Sequence, residues 1–116
     1  MNTLEKLRKA RILEVKVGAV TFTGTRATLE QALLYNDGKF SDAEVCRRHI
    51  NGWTGVKESD LIEGGSDVEV DFSRALFDEV IGEKAEWWPE IAPVIIEDAL
   101  SRLTKRSANT KKSKTG

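Results

Sequence analysis

The sequence predicts an α+β fold: an N-terminal β-hairpin, then a small helical domain of about four helices, then a disordered basic C-terminal tail. Three observations carry this. Residues 12 to 23 alternate apolar and polar side chains around a Gly-Ala pair, two capping boxes open helices soon after, and the last ten residues hold nothing more apolar than Ala108.

The hairpin comes first. Leu13, Val15 and Val17 alternate with Glu14 and Lys16, and Val20 and Phe22 alternate with Thr21 and Thr23. Gly18-Ala19 between them suits a two-residue type II′ turn, which sets Val17 opposite Val20 and Val15 opposite Phe22 on one face. Thr28 with Gln31 and Ser41 with Glu44 then read as capping boxes, in which the hydroxyl takes a backbone N–H and the longer side chain reaches back. The first helix is expected to bury Leu29, Ala32 and Leu33 and to stop at Asn36-Asp37-Gly38. The second is expected to bury Val45, Cys46, His49 and Ile50 in part and to stop at Asn51-Gly52.

Trp53 to Lys57 reads as extended and Glu58 to Ser66 as an exposed loop. Val68, Val70 and Phe72 alternate with Asp67, Glu69 and Asp71, predicting a short strand or an extended lead into the next helix, with the carboxylates on a solvated face. Phe72, Leu76, Phe77, Val80 and Ile81 recur at helical spacing up to Gly82. Pro89 and Pro93 lack a backbone N–H, so the regular part of the last helix is placed from Pro93 to Thr104, with Ile95, Ile96, Ala99, Leu100 and Leu103 inward and 86 to 92 as an irregular approach. One domain over residues 1–104, with flexible first residues, and a disordered tail over 105–116 is the resulting organisation.

Composition bounds the function. A chain of 116 residues closes one core, and 40% apolar with 32% charged side chains supports a folded globule with a solvated surface. Charge is partitioned: acidic residues dominate from Lys57 to Asp98, where only Lys57, Arg74 and Lys84 are basic, and every charged residue of 105–116 is basic. Cys46 is alone, which rules out an intrachain disulfide. No window reaches the roughly 18 to 20 apolar residues of a membrane span, and Met1 to Lys9 has no apolar signal core. A cytoplasmic protein is expected.

Chemistry finds little support. Cys46 and His49 form a C-x-x-H pair on one helical face, but zinc needs three or four ligands and His49 is the sole histidine, so a partly buried thiol beside a hydrogen-bonded imidazole is the reading. Neither a nucleophilic triad nor a phosphate loop is completed. No enzyme activity, metal or cofactor is expected. The basic tail has the charge for salt-dependent phosphate contact, yet no aromatic residue among its cations to stack on bases, so nucleic acid is disfavoured as a partner. Three tryptophans remain. Trp53 is assigned to the inside, and the adjacency of Trp87 and Trp88 is read as placing them on different sides of the chain, with at least one at the surface.

From Arg11 to Arg102 the order of parts resembles the small tail assembly chaperones of long-tailed bacteriophages. The resemblance rests on the hairpin ending Phe22-Thr23-Gly24-Thr25-Arg26-Ala27-Thr28, the helix start Phe40-Ser41-Asp42-Ala43-Glu44, and Val70-Asp71-Phe72-Ser73 after an acidic loop. Its most specific piece is His49-Ile50-Asn51-Gly52-Trp53-Thr54-Gly55-Val56, similar to that family's Gly-Trp-x-Gly-Val turn. It implies a structural turn at Gly52, Trp53, Gly55 and Val56. It also implies a protein that escorts the tape measure protein in the host cell cytoplasm, keeps it soluble while tube subunits polymerise, and is absent from the virion. A longer frameshifted product would recruit the tail tube protein, and Thr110-Lys111-Lys112 is compatible with an A-rich slippery site. The sharply basic end departs from the pattern. Phe77, Trp87 and Trp88, within the acidic surround, are the expected protein-binding residues, and ring or spiral self-association suits a filament-coating protein. Two other readings stay open: a structural head–tail connector or tail completion protein, and a small nucleic-acid-binding protein using the tail.

Overall fold

A computed structural model describes residues 2–115, with side chains described as far as Arg102. Of the basic tail expected to be disordered over 105–116, the side chains and residue 116 lie outside the described residues. The fold is α+β, with a three-stranded antiparallel sheet and, among the described residues, six helices: α1 (Thr3–Ala10), α2 (Leu29–Asn36), α3 (Asp42–His49), α4 (Glu58–Leu61), α5 (Arg74–Val80) and α6 (Trp88–Thr115). The strands are β1 (Ile12–Val17), β2 (Val20–Thr25) and β3 (Ile50–Thr54), in spatial order β1-β2-β3. Among the described residues no helix is long and apolar enough to cross a membrane.

The hairpin has the predicted register, Val17 opposite Val20 and Val15 opposite Phe22. Gly18 takes φ +60 while Ala19 stays at negative φ, the pattern of a type II′ turn. The expected hairpin is, however, only two thirds of a sheet. Ile50–Thr54 adds to the other edge of β2, with Phe22 opposite Trp53 and a register shift between Thr23 and Gly24. Asn51-Gly52, read from sequence as a helix stop, is instead inside this strand: the chain leaves α3 through an extended Ile50 (φ -77, ψ 131) and pairs at once. Gly24 is required at the shift, because a Cβ there would collide with the His49 carbonyl oxygen and come within 2.8 Å of its carbon.

Both capping boxes form or half form. Thr28 Oγ1 accepts the Gln31 N–H at 3.1 Å while Gln31 Oε1 accepts the Thr28 N–H, and Ser41 Oγ accepts the Glu44 N–H at 3.2 Å. The buried face of α2 differs from expectation: Ala32 and Tyr35 are inside, whereas Leu33 and Leu34 are exposed. Tyr35 wins because its ring packs edge-on against Phe40 and His49, and its hydroxyl reaches the His49 ring at 2.8 Å. The second helix buries Val45, Cys46 and His49 fully where part burial was expected, Ile50 is buried at the start of β3, and α5 buries Phe77, Val80 and then Ile81.

Of the two forms expected for Val68, Val70 and Phe72, the extended lead into α5 is the one present: they form no ladder, one isolated bridge joins Lys57 to Glu69, and Val68 is exposed. One further difference matters. The last helix begins at Trp88, five residues before the predicted start. Pro89 falls in its first turn, where an N–H has no intrahelical partner, and Pro93 one turn on removes a single bond. That extra turn and a half adds Ile91 and Ala92 to the core, beside the predicted Ile95 and Ala99 and the sheet residues Val15, Val20, Phe22 and Trp53. Each large side chain so buried contributes about 1.5–3 kcal/mol.

Candidate protein-binding site

Phe77, Trp87 and Trp88, expected at a binding surface, are core residues, with Trp87 the most exposed of them at 7%. The inference from adjacency fails because the chain is turning, not extended, where the two tryptophans meet. Successive side chains on a helix point about 100° apart and not 180°, so both reach the same interior. Trp87 and Trp88 each pack edge-on against Phe22 at 5.2 and 6.2 Å, and Trp88 stacks on Phe77 at 5.7 Å with 13° between the rings. Trp88 Nε1–H donates to the Ile81 carbonyl at 2.7 Å, and the Lys84 ammonium sits 4.7 Å over the Trp87 ring. These rings join the helices to the sheet.

The Gly52 to Val56 segment is strand and turn together. Trp53 lies between Phe22, Phe72 and Phe77, and its Nε1–H donates to the Val70 carbonyl at 2.8 Å. Gly55 adopts φ +82 against the Ala19 carbonyl, a place with no room for a side chain. Val56 is fully buried, and its carbonyl accepts the Val70 N–H at 2.8 Å. The segment therefore fastens β3 to the acidic loop that follows.

Cys46 and His49 do share a helical face, and both are buried. Burial, reinforced by Asp42, pushes the Cys46 thiol up to about 12, so it stays protonated. His49 Nδ1–H donates to the Thr25 carbonyl at 3.0 Å, since a carbonyl only accepts; Nε2 then accepts from the Tyr35 hydroxyl. Burial holds the imidazole below its ordinary pKa, and Arg48 adds to this against the opposing Thr25 bond. Both ring nitrogens are engaged in binding α2 and β2 to α3.

Apolar surface that remains available lies elsewhere. A groove of about 170 Å³ between α4 and α5 is lined by Leu61, Ile62, Leu76 and Val80 and rimmed by Glu79 and Glu83; Ile62 is 60% exposed. It lies in the segment Lys57 to Asp98, where thirteen acidic residues face three basic ones. A second cleft, about 270 Å³, opens beneath α1 and is lined by Leu7, Ala10 and Leu29 with Arg11, Arg26 and Arg102. Arg26 and Arg102 both lean on Asp98 at 3.6 Å. The sequence did carry a signal for the first groove: Leu61-Ile62 is an apolar pair inside an otherwise charged loop. The second was masked because a helix over residues 3 to 10 buries none of its side chains. Compared with protein-family models, with curated proteins and with solved structures, the chain matches none.

Proposed function

We propose that the chain is a tail assembly chaperone of long-tailed bacteriophages, which binds the tape measure protein in the host cytoplasm and keeps it soluble while the tail tube polymerises. The observation that supports this reading is the α4–α5 groove, an apolar floor of Leu61, Ile62, Leu76 and Val80 within an acidic rim. An amphipathic helix presents an apolar stripe with polar flanks, and such a groove takes the stripe while its carboxylates steer encounter and keep the complex dispersed. The groove replaces Phe77, Trp87 and Trp88 as the contact surface; those rings hold α5 and α6 behind it. Recruitment of the tail tube protein belongs, in this proposal, to a longer product extending beyond the present C-terminal segment.

The test is co-expression with the long helical tape measure protein, followed by light-scattering chromatography. A soluble complex carrying several copies of this chain per partner is expected, and Ile62→Asp should lose it while remaining folded, because Ile62 is exposed. A tape measure protein that stays insoluble, with this chain eluting alone, would overturn the proposal and bring the connector reading forward.

A further inference from the structure

The cleft beneath α1 gathers more positive charge than the chain itself neutralises. Arg11 ends α1, Arg26 follows β2 and Arg102 lies on α6, and all three line the same cavity of about 270 Å³. Among the described residues Asp98 is the one carboxylate paired with them, 3.6 Å from Arg26 Nε and from Arg102 Nη2. Those spacings exceed the roughly 2.7–2.9 Å of a charge-assisted hydrogen bond, and Arg26 Nε and Arg102 Nε are buried with no acceptor. Buried donors in folded proteins are ordinarily satisfied, so the cluster is short of an anion. Arg11 uses its backbone here, its carbonyl accepting the Arg26 N–H, and its guanidinium pairs with no carboxylate among the described residues. Three guanidiniums against one carboxylate leave two positive charges uncompensated.

The rest of the lining is mostly aliphatic, with Leu7 and Ala10 from α1 and Leu29 at the start of α2. Thr28 and Leu29 also bring the N-terminus of α2 to the cleft, and its partial positive charge favours an anion. The occupant therefore carries a negative group beside a short apolar one. The cavity is smaller than the roughly 300–1,000 Å³ of cofactor sites and cannot seat a helix about 10–12 Å across. No aromatic side chain lines it to stack on a base. In an extended segment adjacent side chains point to opposite faces, so an internal Glu next to a Leu does not offer both groups to one small cleft. A chain end does, because its carboxylate and its last side chain stem from one Cα. We infer that this cleft captures the free C-terminus of a partner polypeptide ending in an aliphatic residue. The carboxylate sits between Arg11 and Arg26, and the side chain lies against Leu7 and Leu29. The cleft shares no lining residue with the α4–α5 groove, so the inference stands apart from the function proposed above.

The probe is acetyl-Gly-Ser-Leu with a free carboxylate, titrated into the full chain and followed by calorimetry and heteronuclear NMR. Saturable one-to-one binding is expected, weakening as salt rises, with the amide signals of Leu7, Arg11 and Leu29 shifting. Amidating the peptide's terminus should weaken binding at least about tenfold, and so should replacing its last residue with glycine. Arg11→Glu and Leu7→Asp alter exposed side chains. Each should cost at least about tenfold in affinity, with the circular dichroism spectrum unchanged. Arg26→Gln should weaken binding in the same way. The inference is overturned if the amidated peptide binds as well as the acid, or if the acid shows no saturable binding. Displacement of the peptide by an equal concentration of inorganic phosphate or of oligothymidylate also overturns it, since the cleft would then be a plain phosphate site.

Discussion

Replacing Trp88 with alanine distinguishes a core role from a contact role for the adjacent tryptophans. The side chain is 2% exposed, stacks on Phe77, meets Phe22 and Trp87 edge-on, and donates a hydrogen bond to Ile81. Truncating an aromatic side chain in such a setting costs about 3–5 kcal/mol. A small domain has only about 5–15 kcal/mol in total, so the variant should be folded but marginal. With a urea slope of about 1–3 kcal/mol per molar, the midpoint should fall by at least about 1 M, and the thermal midpoint by more than roughly 10 °C. Trp88→Phe separates packing from hydrogen bonding: it retains a ring over Phe77 but takes away the donor to the Ile81 carbonyl, for a cost of about 1–3 kcal/mol. Equilibrium unfolding followed by circular dichroism reads both. An alanine variant within about 0.5 kcal/mol of the parent, the range of ordinary surface changes, would refute the placement of Trp88 in the core.

Three further outcomes are expected. Gly24→Ala should lose at least about 1–3 kcal/mol by overpacking against the His49 backbone, and hydrogen exchange should show the loss concentrated in β3; parent-like protection of β3 would contradict the register shift. Because burial lowers the His49 pKa from its ordinary 6.5, the unfolded chain takes up the proton first as pH falls. That contribution to stability is complete above about pH 6.5 and is lost as pH drops toward the folded value; His49→Gln should flatten this part of the profile. Cys46 behaves oppositely: its contribution is complete below its ordinary 9.0 and is lost as pH rises toward about 12. Its labelling by a thiol reagent at neutral pH should follow global unfolding, and rapid labelling of the native protein would contradict its burial.

What the sequence revealed was local. The hairpin register followed from period-two alternation and a Gly-X turn, and the starts of α2 and α3 followed from side chains that cap their own helices. What it concealed depended on distant partners. In α2, the leucines at 29 and 33 and the aromatic at 35 offer competing faces over only eight residues; the choice falls to Tyr35 through a bond to His49, fourteen residues away. In β3, Asn51-Gly52 has the composition of a helix stop, and only pairing with β2 makes it strand. Gly52 there lies so close to Thr23 that a Cβ would stand 2.6 Å from Oγ1. The candidate groove was half legible: the acidic surround was plain, but the aromatic residues chosen for contact were those least available. Large aromatics satisfy a core and an interface equally well, and spacing alone does not separate the two.

The placement of α6 has a consequence for how the chain acquires its structure during synthesis. It packs on α2, α3 and β1, and it supplies Ile91, Ala92, Ile95 and Ala99, among the last buried residues to be made. The hairpin and its neighbouring helices are translated well before these covering side chains, so Phe22, whose ring meets Trp87 and Trp88, stays partly bare on the nascent sheet until α6 emerges. Intermediates with such uncovered apolar surface are prone to aggregation. A protein proposed to shield another from aggregation thus passes through a vulnerable interval of its own, which ends only when its last helix docks.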